Sequence, residues 1–234
     1  MDVLIVNYEY PPKGGGGGMF TKSLHETLRE LGHDARVVTS KRSTESTASA
    51  RELLTFPFKS VCEVFKQVVT NDVDVIDGHF SVPSSLLLPI VARLTDTPLV
   101  VTVIGADVYD PTSYTRIRPL LNLVNFKYIL PAADHVVTSS TDMRDRLPAD
   151  IKQKTSVIPY NVDPEEFTPP ESREGSGRLL SVCRLVERKN LETALEVVAT
   201  LLENGREITY TVAGDGPLQD RLEAYAEQLG IEDH

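Results

Sequence analysis

Residues 3–28 read "VLIVNYEYPPKGGGGGMFTKSLHETL". The stretch opens on an aliphatic run, 3–8, that suits a buried strand. It closes on Met19, Phe20, Leu24 and Leu28, continued by Leu31, an apolar stripe at helical spacing that Gly32 stops. Between them stand Gly14 to Gly18. Glycine loses more backbone entropy on ordering than any other residue, so five in a row need a reason. One reading is a floppy connector. The other is a backbone that must come close to a phosphate: without Cβ atoms an anion can approach, and N–H groups at a helix start attract it.

Working outward, short β-branched runs alternate with helical patterns. Strands are expected at 35–40, 73–77, 98–104, 135–140 and 155–159, with helices at 58–69 and 82–94 and a surface loop over 41–52. Strands separated by helices predict a parallel sheet covered on both faces. Residues 163–178, "DPEEFTPPESREGSGR", are rich in proline, glycine and charge and read as a linker. The alternation then restarts, with strands at 178–185 and 208–214 and helices at 190–205 and 217–230. The expectation is an α/β chain with a first domain at 1–165, a linker at 166–177 and a second domain at 178–234. Two β/α units are few for a doubly wound domain, so the second is expected to be incomplete and the chain a fragment.

Composition narrows the classes. A hydrophobic share of 41% with 25% charged residues suits a globular, water-soluble protein. The net charge of −10 argues against a general nucleic-acid surface. Cys62 and Cys183 fall in different expected domains, which is neither a disulfide framework nor a zinc pattern. The start, Met1-Asp2 and then a strand, lacks a basic leader, and the most apolar run, 84–94, is interrupted by Pro89 and Arg93. A cytoplasmic location is expected.

Open parallel sheets bind ligands beyond the carboxyl ends of their strands, where the glycine run belongs. A nicotinamide dinucleotide fits poorly. "EYPPK" separates strand from glycines, and the second strand ends Thr39-Ser40-Lys41 rather than in the acid that holds a ribose. A P-loop fails too, because no Lys-Ser or Lys-Thr follows the glycines at the required spacing. His79, after an expected strand, can hydrogen-bond a sugar hydroxyl or shuttle a proton; it can equally satisfy backbone groups at the strand end. Asp107 can contact substrate or cap the next helix. Glu9, Asn161 and Gly214 are further candidate contacts, and Glu9 and Asn161 read more readily as turn residues. His25, His33 and His135 show no partner pattern.

Six segments carry a resemblance, in order along the chain: "YEYPPKGGGGGMF" (8–20), "DVIDGHFSVP" (74–83), "PLVVTVIGADVYD" (98–110), "VIPYNVDPEEFTP" (157–169), "LLSVCRLVERKNLETALE" (179–196) and "YTVAGDGPLQDRLE" (210–223). Together they resemble retaining glycosyltransferases of family 4, glycosyl transferases group 1, of the GT-B fold. The resemblance implies two Rossmann-like domains, the second cut short here. It implies a nucleotide-sugar donor, a sugar, glycan or lipid-linked acceptor, and no bound metal or other cofactor. Breaking the bond from sugar to diphosphate loads negative charge on the leaving group, which preorganised donors stabilise. By the resemblance Arg184 and Lys189 grip that diphosphate, with Gly15, Gly16, Gly17 and Gly18 facing it; His79 and Asp107 are the candidate catalytic residues.

The chain departs from the family in two places. Ile104 stands where the family has a histidine that reaches the donor sugar, and the family's pair of donor-site glutamates would lie beyond His234. Normal turnover by this fragment is therefore not expected. Residues 111–133 hold Arg116, Arg118 and Lys127 and no acid. That suits a peripheral contact with anionic lipid at the inner face of the plasma membrane, or a helix packed on its own sheet. Two other activities stay open: a nucleotide-sugar 2-epimerase of the same architecture, and a non-catalytic binding protein.

Overall fold

The computed structural model describes residues 1–12, 15–40, 50–108, 118–165, 167–168 and 177–234. The chain divides into two compact units, Met1–Asp163 and Pro164–His234. Of the expected linker, residues 166 and 169–176 lie outside the described residues.

The first unit is built on a six-stranded sheet. Its strands are β1 (Asp2–Val6), β2 (Asp34–Val38), β3 (Val75–His79), β4 (Leu99–Val103), β5 (His135–Thr138) and β6 (Thr155–Val157). They lie in the order β2-β1-β3-β4-β5-β6, every pairing parallel. Leu4, Ile5 and Val6 are consecutive and fully buried, which requires cover on both faces and explains the unbroken apolar run. From β1 the chain steps outward to β2, then crosses back to β3 on the other side. That reversal of direction opens a crevice between the carboxyl ends of β1 and β3, the usual ligand position in such sheets.

Helix α1 (Gly16–Glu30) follows β1 and packs against β2. The connection is shorter than the sequence predicts, because Gly16, Gly17 and Gly18 form the first turn of the helix and Gly15 is its N-cap. Helix propensity opposes this, and packing decides it. Gly18 is buried, and a Cβ on Gly17 would overlap the ring of Phe80. Gly14 lies outside the described residues.

Helix α2 (Ala50–Asn71) starts earlier than expected and continues through Pro57, with Phe56 buried in the core ahead of the proline. Residues 41–49, most of the predicted loop, lie outside the described residues. Helix α3 (Leu88–Thr95) starts later than predicted, with Pro89 in its first turn. A proline there needs no N–H partner, whereas deeper in a helix it breaks the ladder. β3 runs two residues beyond its predicted end, because pairing with β1 (Val3 with Val75) and β4 (His79 with Thr102) sets its register. Gly78 allows this: a Cβ there would meet Ser85 Oγ at 2.2 Å.

A short helix α4 (Gly105–Val108) follows β4. Helix α5 (Arg118–Val124) passes through a π-helical turn (Asn125–Ile129) into α6 (Leu130–Ala132). Helices α7 (Thr141–Asp145) and α8 (Ala149–Lys152) join β5 to β6, and Ser140 caps α7 by accepting from the Met143 amide. No helix among the described residues is long and apolar enough to cross a membrane.

The second unit pairs β7 (Arg178–Val182) in parallel with β8 (Thr209–Ala213). Helices α9 (Leu191–Glu203) and α10 (Gln219–Leu229) pack together, and Leu191, Leu195, Val198, Leu222 and Ile231 form its core. Leu180 and Val182 on β7 remain largely exposed.

Candidate active site

In the first unit the predicted residues gather at the carboxyl edge of the sheet. His79 ends β3 with its side chain fully buried. Its Nε2 lies 3.0 Å from Asp77 Oδ2 and its Nδ1 2.7 Å from Thr21 Oγ1 on α1. A carboxylate only accepts, so Nε2–H donates to Asp77. Thr102 Oγ1 donates to the other Asp77 oxygen at 2.9 Å. Asn7, just past β1, donates through Nδ2 to Thr21 Oγ1 at 2.5 Å, and its Oδ1 accepts from the Glu9 amide at 3.0 Å. A single polar chain, Thr102–Asp77–His79–Thr21–Asn7, therefore ties β4, β3, α1 and the end of β1 together. Both ring nitrogens of His79 are engaged within it. Phe20 stacks on the imidazole, centroids 5.3 Å apart and planes 22° from parallel.

Sequence reading did not mark Asp77, Thr21 or Asn7. The signal for Asp77 was present: residues two apart on a strand share a face, so Asp-x-His places both groups together. Thr21 is a polar residue buried on the inward side of α1.

The start of α1 lies beside this network. Gly15 O accepts from the amides of Gly18 and Met19. The amides of Gly16 and Gly17 have no acceptor among the described residues. Glu9 turns back over the helix start: its Oε2 accepts from the Gly15 amide at 3.2 Å and its Oε1 from the Tyr8 hydroxyl at 3.0 Å. An internal carboxylate thus already faces the positive end of the helix dipole. The site offers N–H donors and a charged acceptor side by side.

Asp107 sits in α4, beyond β4. One carboxylate oxygen accepts from Ser81 Oγ at 2.6 Å and the Ser81 amide at 3.2 Å; the other accepts from the Ile104 amide at 3.0 Å. It clamps the segment after β3 to the segment after β4. The carboxyl is enclosed, though the residue as a whole keeps partial exposure. Burial pushes its pKa up to about 6, against the opposing pull of the bonds from Ser81, Ile104 and Val82. Asn125 in the π-helical turn donates to the Asp107 carbonyl at 3.2 Å. Asn161 reaches α1 by donating to Ser23 Oγ at 2.8 Å, and the preceding residue, Tyr160, lies against Phe20 with centroids 4.6 Å apart.

In the second unit Arg184 follows β7, and Lys189 lies in a single 3-10 turn (Glu187–Lys189) that leads into α9. Both are exposed, and neither has an ion-pair partner among the described residues. The loop after β8 packs onto the Arg184 segment. The Leu185 amide donates to Asp215 O at 2.7 Å, and Gly214 and Gly216 adopt φ of +151° and +156°. A Cβ on Gly214 would lie 1.9 Å from the Cys183 carbonyl oxygen. Gly214 is thus fixed by backbone against backbone. Among the described residues no three His, Cys, Asp or Glu side chains converge as metal ligands would.

Comparison with known proteins follows the same division. Residues 14–166 match the model of Glycosyltransferase Family 4, and residues 162–234 that of Glycosyl transferases group 1. The chain belongs to glycosyltransferase family 4. The 2-deoxystreptamine glucosyltransferase of Streptomyces kanamyceticus is 31% identical over 181 residues, which cover 68% of this chain and 46% of that protein. The alpha-monoglucosyldiacylglycerol synthase of Streptococcus pneumoniae is 24% identical over 260 aligned positions, 96% of this chain and 58% of that protein. The chain spans about half the length of these family members. Among solved structures, sucrose-phosphate synthase from Thermosynechococcus elongatus superposes with a TM-score of 0.75 at 17% identity, over 99% of this chain and 68% of that one. The fold is that of the GT-B glycosyltransferases, as the six sequence segments imply.

Proposed function

We propose that this chain serves a retaining glycosyltransferase that moves a hexosyl group from a nucleotide-sugar to a sugar, glycan or lipid-linked acceptor. The observation that carries the reading is the pair of exposed cations at the carboxyl edge of the second unit, with no ion-pair partner among the described residues. Departure of the nucleoside diphosphate builds charge on its β-phosphate. Arg184 supplies a planar fork for two oxygens, and Lys189 a point charge. A leaving group held this way stabilises the oxocarbenium-like transition state without a metal.

The first unit takes the acceptor at the crevice between β1 and β3. There the bonding of both His79 nitrogens suits a positioning role: it fixes the first turn of α1. Asp107 fixes the loops after β3 and β4. The helical segment 118–132 exposes Leu120, Leu123, Lys127 and Tyr128, an apolar face with a cation that suits a peripheral contact with lipid on the cytoplasmic side. Arg116 lies outside the described residues.

The test is a thermal-shift panel of UDP-, GDP- and ADP-hexoses together with release of nucleoside diphosphate in the presence of acceptor. One nucleotide class is expected to raise the melting temperature, and Arg184→Ala or Lys189→Ala to remove the rise. Indifference to all three nucleotides overturns the reading. Binding without transfer to any acceptor points instead to a binding protein.

A further inference from the structure

We propose that Tyr160, backed by Phe20, forms an aromatic shelf that receives the face of a hexopyranose ring of the acceptor, with Glu9 and the amides of Gly16 and Gly17 binding its hydroxyls. The proposal rests on the glycosyltransferase reading above and names the acceptor group that the first unit takes.

Three rings run outward from the core, the inner pair stacked and the outer pair tilted by 42°. His79 is fully buried, Phe20 lies on it, and Tyr160 lies on Phe20 and is 44% exposed. The outer ring is held through the adjacent Asn161, which is tied to Ser23 of α1. The inner ring is held by Asp77 and Thr21 through His79. An aromatic face kept in place from both sides at the ligand-binding edge of a sheet binds with little loss of side-chain entropy. Its electron-rich face attracts the polarised axial C–H groups on one side of a pyranose.

The polar groups beside the shelf point to the same class. Gly16 and Phe20 are four apart on α1, so they share a face one turn apart, and helical side chains lean toward the preceding turn. The shelf therefore adjoins the open amides of Gly16 and Gly17 and the Glu9 carboxylate. The family resemblance implies a phosphate at this glycine turn. A phosphate there would meet Glu9, whose Oε2 lies 3.2 Å from the Gly15 nitrogen, and like charges repel. A neutral hydroxyl accepts from an amide and donates to a carboxylate at once, so it satisfies both partners.

The pyranose can belong to a free glycoside or to a glycolipid headgroup, and the experiment separates them. Saturation-transfer NMR on the full chain uses methyl α-D-glucopyranoside, methyl α-D-mannopyranoside and, as a contrast, uridine. Sedimentation with phosphatidylcholine vesicles, with and without a glucosyl-diacylglycerol, tests the headgroup source. We expect saturation on the axial ring protons of a glycoside, or glycolipid-dependent sedimentation. Tyr160→Leu should weaken whichever is seen by about 3- to 10-fold, and Tyr160→Phe should leave it intact. Wild-type melting behaviour in both variants shows that the fold is kept. Unchanged binding in Tyr160→Leu, or saturation of uridine alone, or no signal from any sugar probe, overturns the shelf. The nucleotide panel is read separately, so sugar binding without a nucleotide response would sink the donor reading and leave the shelf standing.

Discussion

Gly17 and Phe80 compete for one volume: a Cβ on Gly17 would lie 2.6 Å from Phe80 Cζ and 2.9 Å from Cε2. Phe80 is buried and adopts a left-handed φ of 64°, so its ring has little room to yield. Gly17→Ala should therefore cost about 1–3 kcal/mol. At Gly16 no atom lies within 4 Å of an added Cβ, and alanine is the better helix former. Gly16→Ala should stabilise by up to about 1 kcal/mol. Denaturant melts of the two variants give opposite signs if the glycine turn is shaped by Phe80.

Thr21 joins three partners with one hydroxyl: Asn7, His79 and the Gly17 carbonyl. Thr21→Val keeps the shape and strands buried polar atoms on His79 and Asn7. It should cost about 1–3 kcal/mol, while Thr21→Ser should restore most of the loss. Thermal unfolding of the pair measures it.

The enclosed Asp107 makes stability depend on pH. An acid whose pKa is higher folded than unfolded stabilises the fold while protonated. That contribution is fully present below the ordinary value of 3.8 and is lost as pH rises to about 6. The span corresponds to about 3 kcal/mol. Asp107→Asn removes the titration, so the variant should gain on the wild type by about this amount between pH 3 and pH 7. Parallel stability profiles for the two proteins would refute the assignment.

Gly214→Ala should be the most damaging single change in the second unit. Its Cβ would enter the Cys183 carbonyl, backbone that no rotamer can move, at a φ of +151° that side chains avoid. A loss of roughly 3 kcal/mol or more is expected, seen as faster amide exchange in β7 and β8. Gly205→Ala provides the control. Its φ of +74° is strained, but nothing lies within 4 Å, so about 1 kcal/mol is expected.

The parts of this fold that were legible are those whose physics is local. Strands buried on both faces announce themselves as apolar runs, and β1, β4 and β5 lie within a few residues of their predicted spans. β3 was displaced because its ends are set by pairing with β1 and β4. The helical glycines were illegible because intrinsic propensity argues against them, and only Phe80, from a segment far along the chain, explains the turn. The same holds at the site. His79 and Asp107 could be placed at strand ends, but the groups that define their surroundings, Thr21 on α1 and Ser81 after β3, come from other elements. The tilted contact of Tyr160 with Phe20 joins residues from opposite ends of the first unit, and no local pattern signals it.

The strand order carries one last consequence. β1 is not a border of its sheet but an inner slat, flanked by β2 and β3. Loss of β1 would therefore strand β2 from the four remaining strands rather than leave a narrower sheet. The two margins, β2 and β6, are where fraying is tolerated, because only one neighbour depends on each.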